Sequence, residues 1–598
     1  MFLNPEERAV GKENFYAAVG SRYVARRDKT SNRDFLLKQI RQGLASRKGL
    51  GAYYFGYEGK VKEPVRVGVI GTGDEGSVLI GALNPAFLQV RSIADVRPYS
   101  LFRAFHGEVG QAARPGLCKV YGWKDRAEAE KHVKVYTQWQ ELVANAKQDG
   151  LEGVIVALPL HLHAAVAIAA MKAGLHVLTE KLMAHSVREC KEMARVAQQT
   201  KLYLAVGHQR HYNILYDNAV ELIRNGVIGE VHYIAAQWHR GNLPPPEKDS
   251  WKVPLPPGAK TLDEDPDANA LADELEELKG ALDKAGKDVE KARKAAEPDA
   301  KKIKALEDQI ALRKAQIVQK EAQISDRAII AEAKKYGYQD RQHKDEKGGI
   351  YNRPAIEELI RWRLWDRTGA GIMAELGSHQ LDAASIFIAA MLGEKKHPLS
   401  VGAAANRPIF PADRDIEDHV YCIFEFPAVK DYDPKDPLGS RKKVGVQYSS
   451  INGNGFGGYG ETVYGTAGTL ILEREKEGLL YRVSTNPTTE KVKVGSNRSL
   501  AVAEDGDEQS AAIGRLAMFE AERGYAEELE HWAWCIRNPA PENQPKCGPK
   551  VAMADAVIAL TANRAAREGI RVAFQPEWFD PDRDETPEGV KPDLGRYA

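Results

Sequence analysis

Val65-Arg66-Val67-Gly68-Val69-Ile70-Gly71-Thr72-Gly73-Asp74-Glu75-Gly76 is a short β-branched run that stops abruptly at three spaced glycines. A helix-compatible segment, Ser77-Val78-Leu79-Ile80-Gly81-Ala82-Leu83, follows. Gly71 permits a tight turn, Gly73 lets the backbone approach a pyrophosphate, and Gly76 lets the helix pack on the strand. The unpaired N–H groups and dipole at the helix start favour the phosphates. A lone GxGxxG is weak evidence, but this one has a strand before it and a helix after it. An acidic residue also ends the next strand, Gln89–Asp95, with Asp95 19 positions beyond Gly76. A carboxylate there bonds the adenosine ribose hydroxyls and repels a 2′-phosphate, so NAD is favoured over NADP. Arg97 nearby weakens that exclusion.

The alternation continues. Strands are predicted at Lys134–Tyr136, Gly153–Leu158, His176–Thr179 and Leu202–Val206, with helices around Leu142, at 162–173 and at 185–199. Six βα-type units by about residue 208 predict a doubly wound parallel sheet, with ligands at the carboxyl ends of its strands.

The bulk properties are those of a folded enzyme-sized chain. Of 598 residues, 43% are hydrophobic, enough for a substantial core. Lys+Arg and Asp+Glu are both 84, which argues against a surface built to track nucleic acid or an anionic membrane. No apolar run approaches the roughly 18 residues of a membrane-spanning helix. Five scattered cysteines without a CxxC pair read as free thiols in a reducing compartment, not as a zinc site. Arg26-Arg27 faintly resembles a twin-arginine signal, but Lys38, Arg41, Arg47 and Lys48 interrupt the required apolar region. A cytoplasmic protein is expected, with residues 1–62 an extension that ends in an aromatic strap (Tyr53, Tyr54, Phe55, Tyr57).

Glu180-Lys181 directly follows the fifth strand, where a lysine overlooks the cofactor crevice. Together with Gly71–Gly76, Pro159…His163, Ala173–Val177 and Gly371-Ile372-Met373-Ala374-Glu375-Leu376-Gly377-Ser378-His379-Gln380-Leu381-Asp382, it resembles the Gfo/Idh/MocA family of glucose–fructose oxidoreductase and inositol dehydrogenase relatives. Arg210, Glu417-Asp418-His419 and Gly465–Leu470 fall in the family's order. The resemblance covers about 63–240 and 350–570.

The resemblance implies NAD(P) and oxidation of a ring hydroxyl on a sugar or cyclitol. Lys181 would hold the reacting hydroxyl, and His379 would be the general base, oriented by Glu375. On a helix, residues at i and i+4 share a face, so Glu375 and His379 can meet, as ordinary surface pairs also do. Asp382 is a brace for His379 or a substrate contact. Asp74, Glu75, Asp95, Arg97, Pro159, His163 and Glu180 are the further cofactor-side candidates, and Arg210 and His211 the further substrate-side ones. Three departures stand out. Leu182 replaces the family's proline after Lys181, Glu375 a commoner aspartate, and Leu160 an asparagine. No metal site is expected.

Beyond 209 strands come without intervening helices: 231–238, 399–405, 419–426, 444–451 and 461–473, then weaker ones at 479–484 and 490–494. An α+β domain with an open, largely antiparallel sheet is predicted, closed by helices at about 517–537 and 548–568. Its free face suits a homo-oligomer, dimer or tetramer. The domain (209–598) is interrupted by 263–346, where Leu271, Leu275, Leu278, Leu282, Ala285, Val289, Ala292 and Ala296 alternate by four and three. A second seam runs through Ile303, Leu306, Ile310, Ile317 and Ile324 after Pro298. An antiparallel coiled-coil hairpin is predicted, each arm about 40 Å, serving as an assembly arm, as a lid crossing a neighbouring subunit's active site, or as an insertion with no role.

The reading is an α/β protein with a Rossmann domain at 63–208 and an NAD-dependent oxidoreductase acting on a carbohydrate or cyclitol. Two rivals remain open: an NAD-dependent glycoside hydrolase working by transient oxidation and elimination, and a non-enzymatic NAD-binding regulator or scaffold.

Overall fold

The computed structural model of the chain describes residues 55–57, 59, 61–244, 246–259, 269–295, 299–344, 350–428, 430–475, 477–482, 489–494, 500–504 and 523–597. Tyr53 and Tyr54 of the expected aromatic strap, and residues 517–522 of an expected helix, lie outside the described residues. Phe55 packs edge-on against Tyr212, and Tyr57 stacks on His531 while donating to Glu530 at 2.7 Å.

Strands β1 (Val65–Ile70), β2 (Leu88–Ala94), β3 (Lys134–Tyr136), β4 (Gly153–Val156), β5 (His176–Glu180) and β6 (Leu204–Gly207) form one sheet, ordered β3-β2-β1-β4-β5-β6. Every pair is parallel. The pattern follows from composition: β4 and β6 are buried at every position and β1 at all but Arg66, as expected of strands covered by helices on both faces. The strand order reverses between β1 and β4, so a crevice opens at their carboxyl ends. Gly71 makes that turn at φ +87, and a Cβ there would lie 2.2 Å from the Ala157 carbonyl oxygen. Helix α1 (Asp74–Ala82) starts immediately after the turn.

The second sheet has ten strands, with β7 (Val231–Trp238) near its middle. β7 pairs parallel with β12 (Lys443–Ile451) and antiparallel with β13 (Tyr459–Gly465). Every other neighbouring pair is antiparallel, through β14 (Gly468–Glu473), β15 (Glu477–Arg482), β16 (Thr489–Val494) and β17 (Leu500–Glu504) on one side. β11 (His419–Pro427), β10 (Ser400–Asn406) and β18 (Arg571–Ala573) complete the other. The stretch expected as one strand over 461–473 is a hairpin, because the chain turns at Thr466-Ala467. A small hairpin of β8 (Arg341–Lys344) and β9 (Ile350–Arg353), and strands β17 and β18, carry too few residues or too little alternation to be seen in the sequence. Strands β11 and β12 alternate buried and accessible residues. The buried face of β11 meets the helix Pro549–Glu568 and that of β12 the helix Ser378–Leu392, while Tyr421 and Ile423 are exposed on the other side of β11.

The insertion is an antiparallel helix pair, α2 (Ala270–Arg293) and α3 (Ala300–Ile324). Arg293–Glu307 at 2.6 Å and Lys320–Glu274 tie opposite ends together. Each arm is about 36 Å long at 1.5 Å per residue. The predicted seam is the least exposed stripe of α2, with Leu271, Ala285 and Val289 buried; α3 buries no residue fully. Ala296 and Pro298, expected at the tip, lie outside the described residues. The arms therefore stand off the body and are anchored at their root. No helix among the described residues is long and apolar enough to cross a membrane, and all five cysteines are free.

Candidate active site

A cavity of about 350 Å³ follows the carboxyl ends of β1, β2, β4 and β5. Gly71, Gly73, Asp74, Glu75, Asp95, Arg97, Pro159, Glu180 and Lys181 line it. Gly71 and Gly76 are closed by backbone: a Cβ on Gly76 would stand 2.1 Å from the Gly71 carbonyl oxygen. At Gly73 a Cβ would meet only Arg103 Nη2, at 4.0 Å, so its backbone face is open toward the cavity. Two cations flank that seat. Arg103 pairs with Asp74 at 2.6 Å, and Arg363 approaches the same carboxylate at 3.9 Å. Asp95 sits at the end of β2, its carboxylate accepting from the Thr72 and Arg97 backbone N–H groups, both at 2.8 Å. Burial, opposed by these hydrogen bonds and by Arg97, leaves its carboxyl above the usual range. Glu75 Oε1 and Glu180 Oε1 are buried with no hydrogen-bond partner. Burial, then the adjoining Glu75, pushes the Glu180 carboxyl well above its usual range. An open glycine seat flanked by arginines, with orphaned carboxylate oxygens beyond it, fits a dinucleotide: phosphates at the seat, ribose hydroxyls on the carboxylates.

Lys181 enters from the end of β5. Its Nζ donates to the Glu375 carbonyl at 2.8 Å and lies 3.4 Å from Glu375 Oε2. The Lys181–Leu182 peptide is cis. His379 opens helix α4 (Ser378–Leu392), one turn beyond Glu375, with its ring against Trp238 (centroids 5.4 Å apart) and His208 (6.3 Å). Burial, then the charges of Lys181 and Arg210, hold the His379 imidazole well below its usual pKa, so the ring is neutral at pH 7. Its Nδ1 is buried without a partner.

The expected Glu375–His379 hydrogen bond is not formed. Met373–Gly377 is a π-helical turn, whose i→i+5 bonding winds less per residue than an α-helix and takes positions i and i+4 off a common face. Glu375 is directed instead at Arg363 (2.8 Å) and Lys181. Burial raises its carboxyl, but these two cations prevail and hold it at about 2. The carboxylate thus orients the lysine, not the histidine.

Other expected residues are also redistributed. Asp382 is fully buried and accepts from His211 Nε2 at 2.9 Å, with His208 Nδ1 at 3.6 Å; it bonds neither His379 nor the cavity. His211 is held by that contact. Arg210 is fully buried, with Nη1 on Glu461 and Nε on Glu475, each at 2.9 Å. It does not line the dinucleotide cavity; its guanidinium packs 5.8 Å from the Trp238 ring centre, behind His379, with Nη2 unbonded. His163 was expected to line the cofactor. Its Nδ1 lies 2.9 Å from the Leu182 carbonyl and its Nε2 2.8 Å from the Leu158 carbonyl, so it braces the loop after β4 against the turn after Lys181. Leu160 is buried.

Sequence reasoning missed Arg103, Arg363 and Asp326. Arg363 sits in Arg361-Trp362-Arg363 just before the Gly371–Asp382 motif, and that clustering of cations was the available signal. Asp326 had none, since it follows the helical seam with no neighbouring motif to tie it to this chain's own cleft.

Residues 65–208 match the profile of an oxidoreductase family with an NAD-binding Rossmann fold, GFO_IDH_MocA. This stretch is a Rossmann domain of the Gfo/Idh/MocA oxidoreductase type. A glycosyl hydrolase family 109 protein of Solibacter usitatus is 27% identical over 219 residues, 36% of this chain and 46% of that protein. A 1-carboxy-3-chloro-3,4-dihydroxycyclohexa-1,5-diene dehydrogenase of Comamonas testosteroni is 30% identical over 175 residues, 28% of this chain and 37% of that one. The chain thus spans less than half the length of these curated relatives. The solved structure of levoglucosan dehydrogenase in complex with NADH aligns over 86% of this chain and 99% of its own, at 14% identity and a TM-score of 0.48.

Proposed function

We propose that the protein is an NAD-dependent oxidoreductase that moves hydride between a ring hydroxyl of a sugar, sugar derivative or cyclitol and nicotinamide. The observation that carries this is the meeting of Lys181, from the end of a Rossmann strand, with the Glu375–His379 turn of the other half of the chain. Nicotinamide, when bound, accepts or returns the hydride. Lys181 donates to the substrate oxygen and stabilises the charge that develops there, a contribution of the oxyanion kind. His379 enters unprotonated and takes the hydroxyl proton. With Glu375 turned away, no carboxylate bonds the ring, so the developing alkoxide supplies the negative charge that its cationic surroundings lack. Glu375 fixes the ammonium, and Arg103 and Arg363 balance the phosphates. A homo-oligomer through the open sheet face, where Tyr421 and Ile423 are exposed, belongs to the same proposal and is tested by solution mass.

A second reading, hydrolysis of a glycosidic bond through transient oxidation and elimination, is supported by the relatives named as glycosyl hydrolase family 109 proteins. Both readings are tested by incubating the purified chain with a polyol panel and with aryl glycosides, with and without added NAD. NADH accumulation with a polyol supports net oxidation; aglycone release without added NAD supports the hydrolase. Neither product across the panel would refute both.

A further inference from the structure

The root of the helical insertion forms one wall of the dinucleotide cavity. Leu271 from the start of α2, Gln323 from the end of α3, and Asp326, Lys335, Tyr336 and Tyr338 beyond it face the cavity opposite Gly73, Asp95 and Arg97. The wall is fixed in place by several contacts. Gln319 accepts from the Val109 backbone N–H at 2.7 Å. Tyr338 packs edge-on to His161, with centroids 5.6 Å apart. A separate apolar cluster, including Ile329, Ala333, Tyr338, Ile356 and Leu359, packs against Val96 of the loop after β2. Such a wall encloses one end of the cleft and does not swing on a hinge.

Asp326 has a specific place in this wall. It is 1% exposed. Its Oδ2 takes Arg97 Nε at 2.9 Å and Nη2 at 2.8 Å, and its Oδ1 accepts from the Tyr99 backbone N–H at 2.9 Å. Arg97 is two residues past Asp95, where an arginine accommodates the 2′-phosphate of NADP in other Rossmann sites. Here its Nε and Nη2 both meet one oxygen of a buried carboxylate, whose other oxygen is fixed by the Tyr99 N–H, a charge-assisted contact that holds the guanidinium in place. Asp95, Arg97 and Asp326 together present one net negative charge at the ribose edge. A 2′-phosphate brought there meets repulsion and a cation that is not free to turn.

We propose that the helical insertion is part of the cofactor site, and that Asp326 sets its choice of NAD over NADP by holding Arg97 away from the 2′-phosphate position. This rests on the reading of the cleft as a dinucleotide site. The test is fluorescence titration of the full-length chain, freed of endogenous nucleotide, with NADH and NADPH. Asp326→Asn is expected to tighten NADPH binding about tenfold, equivalent to about 1.4 kcal/mol, with NADH affinity changing far less. Asp326→Asn/Arg97→Met should lose that gain, because the freed guanidinium is what the phosphate would use. Arg97→Met alone removes the one cation and raises the net negative charge at the ribose edge to two, so it should bind NADPH no more tightly than the wild type; where Asp326→Asn does not fold, Asp326→Ser takes its place. An unchanged NADPH-to-NADH ratio in folded Asp326→Asn or Asp326→Ser, or a gain in NADPH binding in Arg97→Met, would overturn the proposal while leaving the cleft's identity intact. A wild-type chain that binds neither nucleotide would instead defeat the underlying reading.

Discussion

Gly71 and Gly73 are two residues apart, yet alanine should do opposite things at them. At Gly71 φ is +87, and a Cβ would stand 2.2 Å from the oxygen and 2.7 Å from the carbon of the Ala157 carbonyl. The turn cannot retreat, because Gly71 N–H bonds the Ala94 carbonyl and Ala157 N–H bonds the Ile70 carbonyl, both at 2.8 Å. A left-handed non-glycine residue costs about 1–2 kcal/mol, and overpacking a closed interior about 1–3 kcal/mol more. Gly71→Ala is therefore expected to destabilise the fold by about 3 kcal/mol. At Gly73 φ is −66 and the nearest atom a Cβ would meet is Arg103 Nη2 at 4.0 Å. Gly73→Ala should change stability by less than about 0.5 kcal/mol, as substitutions without contacts do. Its methyl would occupy the phosphate seat. Losing one hydrogen bond to a charged group costs about 1.5–3 kcal/mol, so NADH affinity should fall roughly 10- to 100-fold. Urea unfolding and NADH titration of both variants are the assays. The reasoning is refuted if Gly73→Ala binds NADH as tightly as the wild type, or if Gly71→Ala unfolds at the wild-type urea concentration.

Further expectations follow from the charges around the site. The His379 ring is held well below its usual pKa, so its basic form dominates through neutral pH. The acid limb of kcat/KM should fall well below pH 6.5, and Lys181→Met, which removes a cation from the ring's surroundings, should move that limb upward as well as lowering the rate. Glu375→Gln leaves Lys181 and Arg363 without their shared carboxylate and should lower kcat/KM at least about tenfold, the loss of one charged hydrogen bond; steady-state kinetics with the identified substrate measures it. Arg210→Met strands the buried carboxylates of Glu461 and Glu475, and breaking a buried pair costs about 3–5 kcal/mol. Urea unfolding should register that loss.

The Rossmann sheet was legible because its signals are local. β-branched runs, glycine spacing and an acid at the end of β2 each depend on a few consecutive residues. Strand positions in the second sheet were legible for the same reason, through alternation, although the Thr466-Ala467 turn was not, since neither residue is a strong turn former. The helical pair could be read from its four-three spacing. What could not be read was where side chains go once helices deviate from ideal winding. The i, i+4 rule applied to Glu375 and His379 presumes an α-helix, and the π turn at Met373–Gly377 breaks it. Arg210 and Asp382 sit in the right segments, but their partners, Glu461, Glu475 and His211, come from far along the chain. Asp326 is the extreme case: 229 residues separate it from Arg97, with nothing in its neighbours to suggest a ribose edge.

A crystal structure of the full chain grown with NAD addresses the account most directly. The pyrophosphate should rest on the Gly73 backbone between Arg103 and Arg363, with the nicotinamide ring beside the Lys181 amine and the His379 imidazole on the same side of the cleft. A nicotinamide directed away from Lys181, or the amine and the imidazole on opposite faces of it, would contradict the assignment of redox chemistry to this site.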